Sequence, residues 1–216
     1  MDQPYMKLRL NLTGSKSYYL YNGTEEYFKK MRAAYKDVRA GSTSEYLYFG
    51  FFTLCSATLE YSINFLLADY CIEQFGVGRY KVYLEQYLNM NFKNKLLMLP
   101  HIISNGEFQM NEDAASFKKI EEMIRLRNQL LHNKAYLIGF ELPINLEEKD
   151  GRLIVPEGKE VLNYDFEFEK TPIERLTKEN CLHFGNAIGD FKKYIMTPAL
   201  ADGLVVNEMV KTHNAL

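Results

Sequence analysis

The stretch RLRNQLLHNK, residues 125–134, gathers side chains able to do chemistry. It places Arg127, Asn128 and His132 within six positions, with Leu130 and Leu131 inside the set. A histidine exchanges a proton near neutral pH. A guanidinium grips a phosphate or carboxylate through paired N–H donors. Side by side, these groups suit acid–base chemistry at a phosphate ester, with charge stabilised as it develops. The same residue types also suit an ordinary helix end, where histidine favours the dipole and asparagine bonds nearby backbone.

The helix that holds them decides how they face. Projected at about 100° per residue, Phe117, Ile120, Ile124, Leu131 and Ala135 form one stripe. Asn128 falls inside that stripe and so points inward or into a crevice. His132 follows it by one turn on nearly the same side. Arg127 lies about 140° from His132 around the axis. Its long side chain either reaches back to the site or serves a neighbouring chain.

The elements around this helix follow from periodicity and punctuation. Residues 6–22 alternate at Leu8, Leu10 and Leu12 before the turn signal TGSK, which predicts a short strand or hairpin. Thr24 is placed as the cap of a helix over about 25–38. The longest helix starts at a cap among Ser42, Thr43 and Ser44 and ends at Gly76, with Leu47, Cys55, Leu59, Ser62, Ile63, Leu66 and Tyr70 on one side. Its apolar surface extends all round, as in a central helix buried on several sides. Residues 79–104 give one or two helices limited by Pro100. A loop follows, and Asn111 caps the motif-bearing helix, over about 112–136.

After that the pattern shifts to short alternating runs broken by Lys149-Asp150-Gly151 and Pro156-Glu157-Gly158. This predicts a β insertion at about 150–170, which the N-terminal strand is able to join. Thr177 caps a last helix that Pro198 stops, over about 177–196. The final 18 residues read as a short helix or an arm. The expectation is one mainly α domain over 1–216: a helical core at 24–136 and 177–196, a hairpin at 6–22 and the small β insertion.

The totals bound the function. The 216 residues carry 26 basic and 28 acidic side chains, a net charge of −2, which is not the balance of a strongly basic nucleic-acid binder. A local basic groove is compatible with that total. Cys55, Cys71 and Cys181 form no CxxC pair, so neither a disulfide framework nor a zinc site is indicated. Cys55 and Cys71, sharing one helix, lie roughly 24 Å apart. Reduced thiols fit a cytoplasmic protein. No signal-peptide hydrophobic region opens the chain, and no apolar run reaches the roughly 18 residues of a membrane span, so no membrane partner is expected.

The segment RNQLLH resembles the arginine-polar-x-x-x-histidine motif of the HEPN family of helical domains. CSATLEYSINFLL (55–67) resembles the family's long apolar second helix with its embedded acid and asparagine. KNKLLMLP (93–100) resembles the connecting segment, and FKKIEEMIRLRNQLLH the motif-bearing helix in its usual place after it. The resemblance covers about residues 43–136 and leaves 137–170 and both termini unexplained.

The resemblance implies a HEPN-like bundle of four to five helices that dimerises, bringing two motifs to one cleft. Many catalytic members are ribonucleases that need no metal or other cofactor. In that reading His132 is the general acid or base, Arg127 holds the phosphate, and Asn128 orients the histidine or the phosphate. Glu60 either lines the cleft or is a carboxylate paired with Arg127 or Arg125. Lys93, Lys95, Lys118, Lys119, Arg125 and Lys134 are candidate phosphate contacts or a solvated face. The expected function is a metal-independent endoribonuclease, a toxin or defence protein with RNA as substrate and an antitoxin or other protein as partner. The alternatives are a non-catalytic RNA- or nucleotide-binding module and a dimerising interaction module.

Overall fold

The computed structural model describes residues 8–9, 18–41, 45–131, 139–141, 146–154, 167–195 and 209–211. The described chain is mainly helical. Helix α1 is Thr24–Ala40, α2 Glu45–Phe75, α3 Tyr80–Leu88, α4 Phe92–Ile103, α5 Ala115–Leu131 and α6 Lys178–Ile195. These six helices exceed the expected four to five because residues 79–104 divide in two. Asn91 makes the division: its extended backbone and its Oδ1, which accepts from the Asn94 N–H at 2.8 Å, start α4 afresh.

Helix α2 is the hub, in contact with α1, α3, α4, α5 and α6. Phe51, Phe52, Cys55, Leu59, Ile63, Leu67 and Cys71 are buried along it, while Leu47, Leu66 and Tyr70 of the expected stripe are half-buried. A helix buried on several sides must also settle its polar side chains. Thr58 and Ser62 do so by donating to the carbonyls of Leu54 and Thr58, each at 2.7 Å. Gly76 ends the helix in the left-handed region (φ +74°), with its N–H on the Ile72 carbonyl. By length and composition Tyr46–Phe75 does qualify as a membrane span, against expectation, yet half of its most apolar window is buried inside the protein.

The strands pair two by two, all antiparallel. Strand β1 (Leu8–Arg9) pairs with β2 (Tyr18–Tyr19), and among the described residues not with the strands that follow α5. Strand β4 (Phe140–Glu141) pairs with β7 (Glu167–Phe168), and β5 (Glu147–Lys149) with β6 (Arg152–Ile154) about the Asp150-Gly151 turn. Strand β3 (Phe108–Met110) lies where a loop is expected and pairs with β8 (Met209–Lys211), where a helix or arm is expected. Phe108 and Met110 face the core and Gln109 faces out, a period of two too short to stand out in sequence.

Three local expectations need correction. Gly23, not Thr24, precedes α1; Thr24 is its first residue, and its N–H donates to Asn22 Oδ1 at 3.0 Å. Pro100 does not end α4 but sits inside it, because Leu99, Pro100 and Ile102 are buried and hold the last turn in place. Leu131 is 39% exposed and so leaves the α5 stripe, in which Phe117, Ile120 and Ile124 are buried. Asn111 accepts from the Asp113 N–H in the turn before α5, and Thr177 accepts from the Asn180 N–H at the start of α6.

Two glycines give the same substitution opposite signs. A Cβ on Gly185 of α6 would lie 2.7 Å from the Tyr35 ring and 3.0 Å from Phe51, so α1, α2 and α6 meet closely only because Gly185 has none. A Cβ on Gly50 of α2 would meet nothing within 4 Å. Gly185→Ala should therefore destabilise by about 1–3 kcal/mol. Gly50→Ala should stabilise by about 0.5–1 kcal/mol through helix propensity. Urea denaturation of the two variants checks both signs.

Candidate functional site

Three helices bring the polar groups together. Arg127 extends from α5, Glu60 and Asn64 lie one turn apart on α2, and Phe92 and Lys95 lie three residues apart on α4. Arg127 Nη2 donates to Glu60 Oε2 at 3.0 Å. Lys95 Nζ stands 4.0 Å from Glu60 Oε1 and donates to Asn64 Oδ1 at 3.3 Å. The Arg127 guanidinium also lies over the Phe92 ring, 5.4 Å from its centroid, and Nη1 donates to Asn128 Oδ1 at 3.4 Å. Each cation is thus held by a neutral neighbour as well as by the shared carboxylate.

Exposure grades through the cluster. The Glu60 side chain is 33% exposed, that of Arg127 19% and that of Lys95 6%. Burial is the main cause that pulls the Lys95 amine below the usual lysine range; Glu60 opposes the shift and Arg127 adds to it. Two cations therefore share one carboxylate in a partly dry setting, where charge–charge terms exceed those in open water. The arrangement suits holding an oxyanion.

The expected residues separate into groups. Arg127, Asn128, Glu60 and Lys95 come together. Lys118 instead pairs with Asp113 at 3.1 Å, and Arg125 is exposed on another side of α5. Lys93 pairs with Glu121, and Lys119 with Glu122. His132 and Lys134 lie outside the described residues; His132 directly follows Leu131, the last residue of α5. Of the two partners considered for Glu60, Arg127 is the one bonded.

Sequence reasoning missed Phe92 and gave Asn64 no role. Their signals were the spacings Phe92-x-x-Lys95 and Glu60-x-x-x-Asn64, which put each pair on one helix face. Cys55, Cys71 and Cys181 are buried free thiols. Burial pushes Cys55 up and Cys181 to about 12, so neither supplies a thiolate near neutral pH. Among the described residues no three His, Cys, Asp or Glu side chains converge as a metal site. The chain matches no family model, no curated protein and no solved structure.

The buried amine has a signed consequence for stability. Its folded proton affinity lies below that of an unfolded lysine, which titrates near 10.4. Between those two values the unfolded chain binds more protons than the folded one, so the Lys95 contribution makes stability rise with pH. Lys95→Met removes that rise. Urea unfolding at pH 7 and at about pH 10 should show wild-type stability gaining on that of the variant toward alkaline pH.

Proposed function

We propose that the chain is a HEPN-like, metal-independent endoribonuclease, a toxin or defence protein acting on single-stranded RNA in the cytoplasm. The observation that carries this reading is Arg127 set beside Lys95 at the junction of α2, α4 and α5, with His132 five residues further along the sequence. Arg127 binds the scissile phosphate and stabilises its developing charge. His132 exchanges the proton of the attacking 2′-hydroxyl or of the leaving 5′-oxygen. Asn128 bonds Arg127 and fixes its orientation.

Two copies of the motif meet across a two-fold axis near α5 in this reading, so one motif per chain builds a shared site. Light scattering at micromolar concentration should give the dimer mass; a monomer alone counts against the assembly.

The test of the chemistry is RNA cleavage followed by product analysis. Cleavage should persist in EDTA and leave 2′,3′-cyclic phosphate ends. His132→Ala should lower the rate by about 10²–10⁴-fold with the circular dichroism spectrum unchanged. Cleavage unaffected by that substitution, or lost on removing magnesium, overturns the mechanism.

A second reading has an observation of its own. The Arg127–Glu60 bond and the Arg127–Phe92 contact tie α5 to α2 and α4, as a brace would. A non-catalytic RNA-binding or dimerising module needs no more than that. It is favoured if the protein binds RNA, or only dimerises, without cutting.

A further inference from the structure

We propose that Glu60 is a built-in stand-in for phosphate: its carboxylate fills a two-cation seat made by Arg127 and Lys95, which a single-stranded RNA phosphodiester takes when Glu60 swings out. This rests on the reading of the chain as RNA-directed and adds to it a second phosphate ligand and a gate.

The geometry has the required form. One carboxylate oxygen faces Arg127 at 3.0 Å, and the other faces Lys95 at 4.0 Å. The two cations come from different helices and address different oxygens, as they would address the two non-bridging oxygens of a phosphodiester. Exposure falls from Glu60 at 33% to Lys95 at 6%. A group arriving from solvent therefore meets the carboxylate before the amine.

The seat also survives the exchange. Lys95 keeps its bond to Asn64 Oδ1, and Arg127 keeps Phe92 beneath it and Asn128 beside it. Both are positioned without Glu60. The swap is balanced in charge, since one monoanion replaces another before the same two cations, and no uncompensated charge is left in the partly dry setting. The desolvated amine gains most from an anion that stays close.

The experiment measures binding of a short 2′-O-methyl RNA, which cannot be cut through its 2′-oxygen, by fluorescence anisotropy over a salt series. Glu60→Gln removes the competing charge and should tighten binding by about fivefold, roughly 1 kcal/mol. Glu60→Asp, shorter but still charged, should fall between. Lys95→Met should weaken binding and flatten the salt dependence by about 0.7 in log–log slope, the share of one phosphate contact. Lys95→Arg should restore the slope. Binding by Glu60→Gln and Glu60→Asp no tighter than wild type overturns the proposal, as does an unchanged slope for Lys95→Met or absence of binding by every form. The enzyme reading fails separately. If natural RNA is not cut while the Glu60 and Lys95 variants behave as stated, the seat stands and the nuclease does not. If His132-dependent cleavage is seen but Glu60→Gln binds no tighter, the nuclease stands and the gate does not.

Discussion

The fold depends on one constraint: α2 is apolar on nearly every side and must be covered on several of them. Phe52, Cys55, Leu59, Ile63 and Leu67 have no exposed surface at all. At about 25 cal/mol per Å² of apolar area removed from water, no single neighbour supplies that cover. Five helices share the task, and their order around α2 decides which polar side chains meet. Glu60 lies where the cover is incomplete. It remains one-third exposed, and α4 and α5 bring their cations to that gap.

The cluster is therefore a product of packing as much as of chemistry. A carboxylate inside a helix hub has a large desolvation cost unless cations reach it. Arg127 suits the role because its delocalised guanidinium lies flat on Phe92 while donating at its edge. Lys95 is the costlier choice, a compact ammonium with 6% of its side chain exposed. Burying an ammonium where methionine would fill the space gives up stability, and that pattern is common where charge serves a function.

What the sequence discloses follows the range of the interactions concerned. The ends of α2 and α6 were legible because Gly76 and Thr177 act on their own neighbours. The inward face of α5 at Phe117, Ile120 and Ile124 was legible for the same reason, through a 3.6-residue period. Pro100 misled because its burial beside Leu99 and Ile102 outweighs a local rule against proline. Leu131 misled because it keeps the apolar period of the stripe while its neighbours leave it 39% exposed. Of the site, Arg127, Asn128, Glu60 and Lys95 were visible as residue types. Which cation Glu60 would face was not, since Arg125 and Arg127 differ only by which side of α5 approaches α2.

The pairing of β3 with β8 joins segments separated by nearly half the chain. Closing so long a loop has a high entropic cost that three residue pairs offset poorly, whereas the contacts of α1 with α2 and of α2 with α3 join near neighbours. The helices therefore have the means to assemble from near-neighbour contacts without the clasp. Since β3 lies between α4 and α5 in the chain and packs on α4, the clasp ties the C-terminal strand to the link between the two helices that carry Lys95 and Arg127.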